Sequence, residues 1–182
     1  EPDAGRDVQP ILDLLRRIAP DVVTVACDPE GSGPDTHYKV LQAAATALQR
    51  YQQENDKDIK VWGYRNVWYR FHPSEADVFV PVSLNSMAIL ENTFFNSFGS
   101  QRTASFPSPE LDGPFSRLAQ KIQAEQFYML KTCLGQDFFN ENPHPRIRAM
   151  HGLCYIKTMG VDEFCRQTST LKQRMQLEDT PD

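Results

Sequence analysis

Between Cys27 and the helix-forming sequence that follows, the chain reads Asp28-Pro29-Glu30-Gly31-Ser32-Gly33-Pro34-Asp35-Thr36-His37. Asp28, Glu30, Asp35 and His37 are thus brought onto one short segment. Clustered carboxylates would repel a phosphate, but they suit a cation or the hydroxyls of a sugar. If Asp35 or Thr36 is the N-cap of the next helix, His37 falls in its first turn, where the macrodipole disfavours imidazolium and keeps the ring neutral. A neutral ring is the form that ligates a metal. The same residues serve equally well as simple caps with His37 on the surface, because a catalytic zinc takes three protein ligands and this segment supplies one convincing nitrogen.

A second group is aromatic and cationic: Trp62, Tyr64, Arg65, Trp68, Tyr69 and Arg70. Aromatic faces can stack on a sugar ring, and Arg65 and Arg70 can pair with a phosphate. Cross-strand packing with the arginines snorkelling to solvent accounts for the same pattern. Ser100, Gln101 and Arg102 open a long loop, where Gln101 can contact a ligand or hydrogen-bond within the loop. His144, between two prolines, and His151 lack any partner at metal-ligand spacing and read as surface residues.

These groups need a scaffold to hold them. Val8, Ile11, Leu12, Leu15 and Ile18 mark one helix face that Pro20 ends. Asp21 to Cys27 is β-branched and continuous, as expected of a strand buried on both faces of a parallel sheet. Val40, Leu41, Ala44, Leu48 and Tyr51 mark the helix after the candidate loop. Helix, buried strand, loop and helix is the grammar of a doubly wound α/β sheet, in which ligands bind beyond the carboxyl ends of the strands. Further strands are predicted at Ile59 to Tyr64, Val67 to Phe71, Val78 to Val82 and Leu153 to Lys157. Ser83 can cap a helix bearing Met87, Leu90, Phe94 and Phe98. A long loop from Gly99 to Pro114 precedes a helix over Phe115 to Leu134 that ends at Gly135. The last helix is predicted over Val161 to Gln176, with residues 177–182 fraying.

With 182 residues, 40% hydrophobic and 24% charged, the chain can bury a core without disulfides or a structural metal. The net charge of -5 and the absence of a basic run argue against nucleic-acid binding. Short, interrupted apolar stretches argue against a membrane span, and no signal-like segment opens the chain. Cys27, Cys133, Cys154 and Cys165 are widely spaced, contain no C-x-x-C and read as buried free thiols. A cytoplasmic location is the corresponding expectation. The chain begins with Glu1 rather than Met, and its abrupt polar start is expected of a piece of something longer.

Pro20-Asp21-Val22-Val23-Thr24-Val25, followed by the loop to His37-Tyr38-Lys39-Val40, resembles the second signature of the PIG-L/LmbE zinc de-N-acetylases. In that family a Pro-Asp-Val-Val strand leads to a His-Pro-Asp-His that opens a helix. Gly33-Pro34-Asp35-Thr36-His37-Tyr38-Lys39-Val40-Leu41-Gln42, the run Val61 to Phe71, and Phe98-Gly99-Ser100-Gln101-Arg102 are similar to the deacetylase-like C-terminal part of bacterial glucosamine-6-phosphate deaminase-like proteins. The likeness runs from about residue 8 to 165.

The resemblance implies an α/β, Rossmann-like and mostly parallel sheet with flanking helices, residues 1–182 forming a single domain that lacks its N-terminal part. It implies zinc-dependent hydrolysis of an N-acetyl amino sugar as the parent chemistry. His37 matches the signature's last histidine, a zinc ligand, if Thr36 is an insertion. The first histidine of the signature falls on Gly33. The family's other signature, Ala-His-Pro-Asp-Asp, supplies two ligands and the general base, and the 182 residues do not contain it. His72-Pro73-Ser74-Glu75 imitates it without the paired aspartates. The chain alone is therefore expected to have no complete catalytic set and to hold zinc poorly, with His37 as metal ligand and Asp28, Asp35, Arg65, Arg70 and Gln101 toward substrate. The expected partners are a missing N-terminal segment or a fused deaminase domain, a second copy in a homo-oligomer, and a sugar phosphate. The competing expectation is a non-catalytic domain that binds a sugar phosphate or supports oligomerisation.

Overall fold

The computed structural model describes the chain except for Glu1 and residues 28–35, 66–69, 105–111 and 179–182, and it leaves the side chains of 101 and 171–178 undescribed. The chain divides into two compact units, one comprising residues 1–64 and 158–182 and the other residues 65–157.

The first unit opens with a π-helical turn, Ala4–Val8, capped by the Asp3 carboxylate, which accepts from the N–H groups of Gly5 and Arg6. It runs into α1, Gln9–Ile18, with Pro10 in the first turn. Ala19 ends the helix in the left-handed region at φ 48°, its N–H donating to Leu15 O at 2.8 Å. Pro20 forbids a helical continuation there. Lys57 Nζ donates to Ala19 O at 2.5 Å and pairs with Asp21 at 2.9 Å, which fixes the entry to β1, Val22–Ala26. α2, Thr36–Glu54, follows, then β2, Lys60–Tyr64. Arg16 grips Glu54 with two bonds, at 2.9 and 2.6 Å, holding α1 to the end of α2.

β1 and β2 are parallel, with Val22 opposite Lys60 and Ala26 opposite Tyr64. The core of the unit joins Leu12 and Leu15 of α1, Val25, Leu41 and Leu48 of α2, Val61, and Met159, Val161 and Phe164 from the end of the chain. Ala43, Ala44, Ala45 and Ala47 are also buried, and these small side chains let α2 approach α7, Val161–Glu178, closely. Gln42 Nε2 reaches Thr168 O at 2.8 Å across that contact.

The second unit contains a 3-10 turn, Pro73–Glu75, then β3, Val78–Ser83, α3, Leu84–Ser97, and a 3-10 turn, Gly99–Gln101. α4, Phe115–Leu134, α5, Gln136–Asn140, and α6, Pro145–Arg148, lead to β4, Met150–Gly160, whose last residues belong to the first unit. Ser83 Oγ caps α3 by accepting from Ser86 N at 3.1 Å, and Gly135 at φ 82° ends α4. β3 and β4 are antiparallel, Phe79 meeting Tyr155 edge to face at 5.1 Å. Phe71, Val82, Leu118, Phe139, Met150, Leu153 and Tyr155 are buried.

β1 and β2 pair parallel in the first unit while β3 and β4 pair antiparallel, so the strands are mixed rather than uniformly parallel. β1 departs from the expectation of burial on both faces. Val22 and Thr24 are exposed while Val25 is buried, because successive side chains point to opposite faces and only the Val25 face packs against the core. Of the strand expected at Val67 to Phe71, residues 67–69 lie outside the described residues, and Arg70 and Phe71 are not strand. β4 is longer than the predicted Leu153 to Lys157 at both ends. No helix among the described residues is long and apolar enough to cross a membrane.

Candidate functional site

The carboxyl ends of β1 and β2 lie side by side in the first unit, as a parallel pair requires. Cys27, one residue beyond β1, donates its N–H to Tyr64 O at 2.7 Å, extending the ladder to the point where the candidate loop departs. Gly63 lets this corner close: a Cβ there would meet Cys27 Sγ at 2.7 Å and Met159 Cε at 3.1 Å. The chain returns at Thr36, and His37 stands half-buried in the first turn of α2. Asp28 and Asp35 lie outside the described residues, and so does the distance from Asp28 to His37. Among the described residues no three His, Cys, Asp or Glu side chains are grouped to hold a metal. The described donor set does not fit a zinc centre, and no catalytic step is derived through one.

The arginines nominated for substrate belong to the second unit. Arg65 sets its guanidinium 5.1 Å from the centroid of the Phe71 ring, a cation-π contact. Arg70 is ion-paired with Glu125 of α4, and the same carboxylate receives Lys121 Nζ at 2.7 Å. One carboxylate therefore serves two cations. Gln101 ends a 3-10 turn. Trp68 and Tyr69 lie outside the described residues, and Trp62 is half-buried in β2.

The other histidines have structural work. His72 caps the turn Pro73–Glu75 as part of a capping box, Glu75 Oε2 accepting from its N–H at 2.8 Å. His144 caps α6 through its ring nitrogen, which accepts from Arg146 N at 3.3 Å. His151 is exposed on β4, with Nδ1 3.1 Å from Ala149 O. It borders a feature that the sequence reading missed: a cavity of about 570 Å³ in the second unit, lined by Met87, Pro114, Arg117, Lys121 and Ala124 among others. Its volume is that of a small-molecule site. Arg117, Lys121 and Ala124 recur at helical spacing on one face of α4, which is the only sequence signal for it. Arg117 is paired with Glu91 at 2.8 Å, and Lys121 shares Glu125 with Arg70, so both cations beside the cavity are already engaged.

Two of the four thiols are held away from the reactive thiolate form. Burial pushes the Cys154 thiol up, and burial, then the Asp162 charge, does the same to Cys165. Cys133, expected to be buried, is exposed near the end of α4.

No family model matches the chain, and no solved structure matches it. It is similar to a protein of Bacteroides thetaiotaomicron named as glucosamine-6-phosphate deaminase-like, 27% identical over 111 residues. The match covers 58% of this chain and 16% of that protein.

Proposed function

We propose that this chain works in amino-sugar metabolism, as the deacetylase-like C-terminal part of a glucosamine-6-phosphate deaminase-like protein, and that residues 1–182 alone do not complete the reaction. The observation that carries this reading is the similarity to the Bacteroides protein, whose name concerns an amino-sugar phosphate. It is supported by His37, which opens α2 beyond the carboxyl end of a parallel strand, the region where open α/β sheets bind ligands. In this reading a zinc would be held by His37 only together with ligands and a general base that the described residues do not supply. The same reading assigns Asp28 and Asp35 to the sugar hydroxyls, and Arg65, Arg70 and Gln101 to its phosphate. The chemistry is amide hydrolysis of an N-acetyl amino sugar.

A second reading, a non-catalytic binding or assembly domain, is favoured by one observation: Arg70 already holds the Glu125 carboxylate.

The test titrates the purified chain calorimetrically with N-acetylglucosamine 6-phosphate and glucosamine 6-phosphate, alongside an assay for released amine and elemental analysis for zinc. The expected result is binding that Arg65→Ala weakens, well under one zinc per chain, and no amine release. Absence of binding to either sugar overturns the amino-sugar reading. Stoichiometric zinc, with hydrolysis that His37→Ala abolishes, overturns the claim that the chain alone is inactive.

A further inference from the structure

We draw no further inference here: the strongest candidate, the cavity of about 570 Å³ lined by Met87, Arg117 and Lys121 in the second unit, has its cations already engaged by Glu91 and Glu125, and nothing among the described residues shows what covers it.

Discussion

Replacing Gly63 by Ala probes the corner that launches the candidate loop. Gly63 is buried in β2 opposite Val25, in extended backbone that alanine adopts without strain. The penalty is therefore steric. The new methyl would stand 2.7 Å from Cys27 Sγ and 3.1 Å from Met159 Cε, against about 3.5–4.0 Å for a comfortable contact. Met159 can swing its terminal methyl aside. Cys27 has a single side-chain torsion and a backbone N–H tied to Tyr64, so it must carry most of the displacement. Overpacking of this kind costs about 1–3 kcal/mol, offset by about 0.4–1 kcal/mol from the less flexible unfolded chain. The net loss of about 1–2 kcal/mol lowers Tm by roughly 2–8 °C for a chain of this size. Pairing the change with Cys27→Ala removes the sulfur that clashes, and a double-mutant cycle in urea should return a favourable coupling of about 1–2 kcal/mol. If Gly63→Ala is as stable as the parent, or the two changes add within about 0.5 kcal/mol, the close approach is not what requires glycine here.

Tyr155→Phe removes the hydroxyl that donates to Gln126 O at 2.6 Å in the second unit, and should cost about 1 kcal/mol in urea unfolding; an unchanged midpoint refutes it. Alkylation followed by peptide mass spectrometry should label exposed Cys133 first, with Cys154 and Cys165 slow because burial raises their thiols; equal rates refute this. Asp7 is held at about 2, below the model-compound 3.8, by the Arg6 side chain and then by the Asp3 N–H at 2.8 Å. A depressed carboxylate contributes stability above its unfolded value that is lost as pH falls through 3.8 toward about 2. Asp7→Asn should therefore flatten the acid limb of Tm against pH in that window, and an unaltered limb refutes the linkage.

The elements that the sequence made legible are those whose signals are local. The apolar spacing of α1 and the stop at Ala19-Pro20 correspond to the observed helix, as do the Ser83 cap of α3 and the Gly135 end of α4. What was misread depended on neighbours. β1 looked buried on both faces because its composition is β-branched throughout, yet which faces of a strand are covered depends on what packs against it. β4 extends beyond the predicted Leu153 to Lys157 into Met150-His151-Gly152, where composition carries no strand signal and a glycine suits a turn. Gly152 is instead where α4 comes close: a Cβ there would meet Gln123 Cβ at 2.9 Å and Met87 Cε at 2.7 Å. A glycine required for close packing and one required for a turn look alike until the partner helix is in place.

Of the candidate site, the place of His37 in the first turn of a helix was legible in the sequence, but the value of Arg70 to an anion depends on Glu125, far away in the sequence. That carboxylate also holds Lys121 at 2.7 Å. A phosphate arriving at Arg70 must either compete with Glu125 or join an assembly in which one carboxylate is shared by two cations. Competition at Arg70 releases one oxygen of a part-exposed carboxylate to water, while the other oxygen keeps Lys121. A dianion that engages both cations replaces everything Glu125 provided, whereas a monoanion that reaches only Arg70 does not. If Arg70 takes an anion, as proposed, this arrangement would favour a phosphomonoester over a carboxylate, because the ligand must outbid the resident ion pair.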